Sequence, residues 1–165
     1  MKFVLFVEGH TEDKALPVFL KRWLDPKLEA PVGIQTVRFD GWSELFRDVA
    51  QKAKMHLNGP SKDKIIAVHE VEAWLLSQTD IFPPNIRKAF PGKVAKPETV
   101  NFNEPPAKLL DRLYKQYIKR NYKKTVNGRD LFSQLDPAIA YEKCPHLREM
   151  LDKMLDLATD TRRKR

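Results

Sequence analysis

Two glutamates stand where the first apolar segment of the chain ends. Residues 2–7 (KFVLFV) are mostly apolar or β-branched, a pattern typical of a buried strand, and the segment EGHTE (8–12) follows at once. A carboxylate at the end of a buried strand is costly unless a cation, a proton or hydrogen bonds compensate its charge. We therefore interpret Glu8 and Glu12 as the beginning of a site for a hard divalent cation such as Mg²⁺, which prefers oxygen ligands.

More candidate residues follow the next two predicted strands. Asp40 comes after a strand predicted over residues 34–39, and His69, Glu70 and Glu72 come after a strand predicted over residues 64–68. Carboxylates at neighbouring strand ends could hold one or two Mg²⁺ ions that promote phosphodiester cleavage.

The same side chains also have ordinary structural explanations. Glu12 could be a first-turn helix acid, Asp40 a helix cap, and Glu70 and Glu72 solvated helix charges. His69 could bind a phosphate, ligate a metal or carry a proton, but a structural histidine held by hydrogen bonds is equally compatible with the sequence. Residue spacing alone leaves these alternatives open.

The elements that must position these residues alternate along the first half of the chain. Helical periodicity separates the three strands, with Thr11 as the predicted cap of the first helix and Pro17 predicted to delay or kink it. Alternation of this kind predicts an α/β fold in which helices flank a parallel sheet, with sites beyond the carboxyl ends of the strands.

The predicted organisation is a single domain with a helical C-terminal portion. Residues 1–81 form the α/β core, residues 82–106 a proline-rich irregular connection, residues 107–161 a helical portion and residues 162–165 a basic tail. Cys144 is the single cysteine, so an internal disulfide is impossible and a reducing cytoplasm is expected. Because no apolar run approaches the roughly 20 residues that span a membrane, we expect no membrane association.

Positive charge is concentrated in the second half. The net charge is +8, and residues 101–165 carry 15 basic and 9 acidic side chains, against 15 and 13 in residues 1–100. In residues 114–124, lysines and arginine alternate with tyrosines, which could hold phosphates and stack on bases. Core packing of the tyrosines and a solvated charged face explain the pattern about as well. No phosphate-binding glycine loop or nucleophile elbow is present.

Several motifs together resemble a known family. The segment FVEGHTE (6–12) resembles the opening motif of Toprim domains, the metal-binding fold of topoisomerases, primases and OLD-family nucleases. HEVEAWLL (69–76), Pro97-Glu98, PAKLL (106–110) and CPHL (144–147) are similar in order to the DUF4276 family, which is regarded as Toprim-like. The resemblance spans nearly the whole chain.

The resemblance implies a Toprim-type core and a Mg²⁺- or Mn²⁺-dependent nuclease acting on DNA or RNA. Glu8 would be the first metal ligand or the general acid/base, Glu12 a second ligand, and Glu70 and Glu72 would complete the catalytic metal site. Relatives often accompany an ATPase partner in phage defence. Together with the basic segment, the nucleic-acid-binding candidates are His69, Lys108, Lys119, Arg120, Lys123 and Lys124.

One departure from the family pattern limits the nuclease hypothesis. Toprim domains usually carry an Asp-x-Asp pair after the third strand, and no such pair occurs in this sequence. We would expect tens of residues between Val68 and His69, so the chain has either lost them or is shortened there. The alternatives are a catalytically inactive Toprim domain that binds nucleic acid or a protein partner, and a phosphate-ester enzyme acting on a small substrate.

Overall fold

The structure, a computed structural model, describes residues 1–59, 64–68, 71–90, 96–99 and 104–163. Within these ranges the chain forms a three-stranded parallel sheet and eight α-helices, so the protein is mixed α/β and mostly helical. The predicted parallel sheet and helical C-terminal portion are therefore confirmed. The chain divides into two compact units, the first comprising 1–69 with 152–165 and the second comprising 70–151. The predicted single-domain partition stays a prediction.

The sheet of the first unit has β1 at its centre. Strands β1 (Lys2–Val7), β2 (Gly33–Arg38) and β3 (Lys64–Val68) lie in the order β2-β1-β3, and both pairings are parallel. The predicted bounds agree for β1 and β3, and β2 begins and ends one residue earlier than predicted. Val7 pairs with Arg38 on one side and with Val68 on the other, so all three strands end at the same edge.

Burial on both faces explains the continuous apolar sequence of β1. Every residue from Phe3 to Val7 is buried, as expected for a central strand covered on both sides. Val4 and Phe6 point to one face, where they form a core cluster with Phe39. Apolar side chains of helix α2 (Trp42–Leu57) pack against that cluster.

Helix α1 (His10–Leu24) differs from the prediction at both of its special residues. Gly9 occupies the N-cap position, whereas Thr11, the predicted cap, lies inside the helix and is completely buried. Pro17 neither delays nor interrupts the helix. Proline removes the N–H that would bond to the carbonyl four residues earlier, which here belongs to Asp13.

The Thr36 hydroxyl group of β2 lies near Asp13, whose carbonyl oxygen receives no hydrogen bond from Pro17. Thr36 Oγ1 lies 2.5 Å from Asp13 Oδ1, to which it donates, and 3.5 Å from the Asp13 carbonyl oxygen. This hydrogen bond is the largest influence on the Asp13 carboxyl group and lowers its pKa below the ordinary value. The helix thus tolerates Pro17 while docking on a polar side chain of the sheet.

The described residues of the second unit contain helices, turns and loops and no β-strand. Prolines stand at the first position of α4, α5, α7 and α8, where a missing N–H has no consequence. Asp136 caps α7 by accepting a hydrogen bond from Ala138 N at 2.8 Å. The helices are α3 (Glu72–Leu75), α4 (Pro84–Arg87), α5 (Pro106–Ile118), α6 (Arg129–Gln134), α7 (Pro137–Lys143) and α8 (Pro145–Arg163), the last of which extends into the first unit.

Two boundaries in this region correct the sequence prediction. The proline-rich segment predicted to be irregular contains α4 and the first residue of α5, because its prolines initiate helices as readily as they interrupt them. The predicted basic tail begins inside α8, which continues to Arg163. The described helices include none with both the length and the apolar composition that crossing a lipid bilayer requires.

We expect Thr36→Val to reduce the free energy of unfolding by about 1.5 kcal/mol at neutral pH, because Asp13 loses its hydroxyl donor. The folded-state pKa of Asp13 is lowered, so this contribution is present above the ordinary pKa near 4 and is lost as the pH falls through the folded value. Urea unfolding at neutral and acidic pH measures the difference, with exposed Thr125→Val as the control. An equal loss at both pH values would contradict this role for the carboxylate.

Candidate functional site

The carboxyl edge of the sheet carries the first two candidate residues. Glu8 directly follows Val7 of the central strand and is half-buried, and Glu12 lies in the first turn of α1 with 4% of its surface exposed. The N-terminus of a helix carries partial positive charge, which favours a carboxylate in its first turn. The structure therefore positions both acids where strand β1 ends and α1 begins.

Gly9 gives the Glu12 carboxylate its space. A Cβ atom at position 9 would collide with Glu12 Oε2, although the backbone conformation of Gly9 (φ −125°, ψ 168°) suits any residue. The absence of a side chain, and not backbone freedom, is therefore what this position requires. The neighbouring Thr11 hydroxyl is completely buried and finds no hydrogen-bond partner among the residues that the structure describes.

Cations lie at the same edge of the sheet. Arg38, the last residue of β2, contacts the exposed His10 ring at 2.6 Å from Nδ1, and its Nε lies 3.1 Å from Asp40 Oδ1. Asp40 is not the cap of α2, since Gly41 takes that position with φ 88°, a value that strongly favours glycine. The sequence reasoning did not identify Arg38, whose position beside Val7 depends on the register of the strands.

Glu72 and Lys124, which were predicted to have different roles, are partners. Glu72 begins α3 and is completely buried, and Lys124 Nζ lies 3.0 Å from its Oε1. A buried carboxylate needs a compensating charge, which this half-exposed lysine supplies. The pair belongs to the second unit, whereas Glu8 and Glu12 belong to the first. His69 and Glu70 lie outside the described residues.

The predicted nucleic-acid-binding residues fall into two groups. On the outer face of α5, Lys108 lies beside Arg112, which is ion-paired with Glu104, and near Lys115, which is 2.6 Å from Asp111. Acids therefore neutralise much of the positive charge on that face.

The second group follows the end of α5, where Lys119 adopts a left-handed conformation (φ 60°) as the C-cap. Arg120 and Lys123 are exposed in the segment beyond it and line a cavity with Tyr114. The positive field predicted for this region is thus concentrated beyond the helix and not along it.

Glu98 belongs to the motifs that resemble the family, but the sequence assigns it no function. Its Oε1 accepts hydrogen bonds from Trp74 Nε1 and Leu147 N, each at 3.0 Å, and its Oε2 accepts one from His146 N at 2.7 Å. These two backbone donors belong to the first turn of α8, so Glu98 caps that helix from a distant part of the sequence. Three motifs of the family resemblance therefore meet at one structural contact.

Cys144 lies beside this contact. The thiol is completely buried, and burial, followed by the negative charge of Glu98, raises its pKa to about 12. A thiol with so high a pKa is protonated and unreactive at neutral pH. Cys144 is thus a buried thiol directly before α8, and this segment is structural in character.

The donor set at the sheet edge is small. Among the described residues, no group of three or more histidine, cysteine or acidic side chains is arranged to hold a metal ion. Glu8 and Glu12 offer hard oxygen ligands, and Mg²⁺ commonly binds through only one or two protein carboxylates, with water and phosphate completing its coordination. The donor types and the buried position of Glu12 are compatible with Mg²⁺.

Comparison with known proteins identifies the family. A family model described as a domain of unknown function (DUF4276) matches residues 28–155, well over half of the chain, so the chain belongs to this family. The matched range includes Glu72, Glu98 and the segment 144–147, and it begins after Glu8 and Glu12. No curated protein and no solved structure matches the chain.

We expect Glu98→Gln to reduce the free energy of unfolding by about 2 kcal/mol, because an amide cannot accept all three hydrogen bonds. The Cys144 pKa should also fall, since a negative charge beside the thiol is removed. Urea unfolding and the pH dependence of alkylation in the folded protein measure the two effects. Glu104→Gln, which breaks a surface ion pair, should cost about 0.5 kcal/mol or less. Equal effects of the two variants would contradict the capping role.

Proposed function

We propose that this member of the DUF4276 family is a Toprim-like, Mg²⁺-dependent nuclease that hydrolyses phosphodiester bonds in DNA or RNA. The observation that carries the proposal is the pair Glu8 and Glu12 at the carboxyl edge of the parallel sheet, with Glu12 almost fully buried. A buried acid that only serves a helix terminus would gain stability by being exposed to water. Retention of Glu12 in this position supports a role in binding a cation.

The site residues have distinct proposed roles. Glu8 and Glu12 hold the divalent cation, and Mn²⁺ would satisfy the same oxygen donors. When bound, the ion supplies positive charge that stabilises the phosphate oxygens during hydrolysis. Glu8, which is half-buried and closer to solvent, takes a proton from the attacking water. The water oxygen bonds to phosphorus as the P–O bond to the leaving oxygen breaks, and the leaving oxygen receives the proton that Glu8 took.

In this proposal, Arg38 and His10 bind a phosphate group of the substrate at this edge of the sheet. Both lie at the carboxyl end of the sheet, Arg38 by its pairing with Val7 and His10 as the first residue of α1. A guanidinium group can bind two phosphate oxygens at once, which would orient a nucleic-acid backbone beside Glu8. This arrangement supports a phosphodiester substrate over a neutral one. From the sequence, Glu70 is still proposed to complete the metal site and His69 to bind nucleic acid.

A second candidate function is nucleic-acid binding without cleavage. The described residues offer no group of three metal-binding side chains, and Glu72 is already neutralised by Lys124. These observations favour a domain that binds nucleic acid through its basic residues and requires no metal. An ATPase partner, a role in phage defence and a cytoplasmic location remain proposals that rest on the resemblance and the composition.

The nuclease proposal predicts that Glu8→Gln and Glu12→Gln each reduce Mg²⁺-dependent cleavage of single-stranded and duplex DNA and RNA by about 100-fold or more. Both substitutions preserve shape and remove a metal-binding charge. Electron paramagnetic resonance of Mn²⁺ should show weaker binding to each variant. Exposed Glu29→Gln in the same unit is the control. Undiminished cleavage by Glu12→Gln would refute the proposal, and binding without cleavage by the unaltered protein would favour the second candidate.

Gly9→Ala tests the position of the carboxylate while leaving both acids in place. We expect cleavage to fall by about 10- to 100-fold, because the new Cβ displaces Glu12 Oε2. The thermal midpoint should change little, since the backbone conformation suits alanine. Gly59→Ala is the matched control, because its Cβ would lie an ordinary 3.4 Å from the Met55 carbonyl oxygen. Full activity of Gly9→Ala would show that this carboxylate position is not required.

A further inference from the structure

A cavity of about 590 Å³ lies in the second unit, next to the end of α5. Its volume is within the range of about 300–1,000 Å³ that is common for small-ligand sites. One part of its lining is apolar or aromatic and another part is cationic. The residues that define it are Tyr114, Ile118, Val126, Arg120, Lys123 and Asn127.

The positive charge of the cavity lining favours an anionic ligand. Arg120 and Lys123 contribute positive charge, and no aspartate or glutamate is among the described residues of its lining. The outer face of α5 differs, because Glu104 and Asp111 pair with its cations. The cavity is therefore the part of this basic region where positive charge is left for a ligand.

The segment that carries both cations is fixed by backbone contacts. Tyr122 N donates to Asp111 Oδ1 at 3.1 Å, and Lys123 N donates to Asn127 Oδ1 at 2.8 Å. The Lys123 carbonyl in turn accepts a hydrogen bond from Asn127 N at 2.7 Å, within a single turn of π-helix from Lys124 to Gly128. Because this backbone is already ordered, binding costs less conformational entropy than it would in a flexible loop.

The apolar part of the lining favours a ligand that carries a flat or hydrophobic group. Tyr114 is buried, and its ring packs edge-to-face against Tyr122 with centroids 5.3 Å apart, which fixes the ring in place. Val126 is 47% exposed and lies in the same lining, so it offers apolar surface to a ligand beside the cations. A simple inorganic anion would make no use of this apolar surface.

From this combination we infer that the cavity binds one nucleotide, with the base against Tyr114 and Val126 and the phosphate between Arg120 and Lys123. A nucleotide combines an aromatic body with an anion, which matches the apolar and the cationic parts of the lining. The nucleotide is either free or part of a single strand. A duplex is excluded, since its bases are paired and stacked. The inference rests on the proposed function in that it makes a single strand the substrate.

Binding is measured by fluorescence anisotropy of a labelled oligothymidylate and of labelled thymidine monophosphate, with EDTA present so that cleavage plays no part. We expect Arg120→Ala combined with Lys123→Ala to weaken binding by about tenfold or more and to reduce its salt dependence. Lys153→Ala, an exposed lysine outside the cavity, is the control and should have a smaller effect. Unaltered binding by the double variant would overturn the inference.

A second variant fills the cavity without removing charge. Val126→Trp should abolish binding while the unfolding midpoint stays unchanged, because Val126 is already half-exposed. Binding of both probes supports a strand threaded through the cavity, and binding of the mononucleotide alone supports a free nucleotide. Binding of neither probe, or binding of duplex DNA that Val126→Trp leaves intact, would overturn the inference.

The two proposals fail separately. If Mg²⁺-dependent cleavage is absent but the cavity variants weaken binding, the nuclease proposal is wrong and the nucleotide site stands. If cleavage depends on Glu8 and Glu12 but neither nucleotide probe responds to the cavity variants, the reverse is true. Anisotropy in EDTA and cleavage in Mg²⁺ therefore give independent answers.

Discussion

The burial of β1 between two parallel neighbours is the constraint on which the first unit depends. A central strand cannot expose either face, so its sequence is apolar from Phe3 to Val7 and polar residues can begin only where it leaves the sheet. Glu8 stands at that point, and the turn into α1 brings Glu12 back towards the strand end. Because β2 ends in register with Val7, its last residue, Arg38, lies at the same edge as Glu8.

Three acids, Glu12, Glu72 and Glu98, are stabilised in different ways, and the difference bears on their function. Glu98 accepts three hydrogen bonds and acts as a cap for α8, so it is a structural residue. Glu72 is completely buried and is held by an ion pair with Lys124. Glu12 lies in the field of a helix N-terminus and depends on the missing side chain of Gly9. Of these three, Glu12 is the acid that we propose as a metal ligand.

The distribution of positive charge in the second unit is more informative than its net value. A basic stretch read along the sequence suggests one continuous phosphate-binding face. Local pairing divides it, because Asp111 and Glu104 are within reach of cations on α5, whereas Arg120 and Lys123 line a cavity whose described lining includes no acid. Exposed ion pairs contribute little to stability, yet they decide which cations are left for a ligand.

The sequence alone determined the three strands and the two acids after β1, because these depend on local hydrophobic periodicity and residue chemistry. The DUF4276 resemblance was also readable in its ordered motifs and is confirmed over residues 28–155. Tertiary structure decided the rest. The hydrogen bond of Asp13 depends on Thr36 from strand β2, the cap of α8 depends on Glu98, and the partnership of Glu72 and Lys124 depends on packing between segments 52 residues apart. Side chains so distant in sequence leave no periodic signal, since only the folded chain brings them into contact.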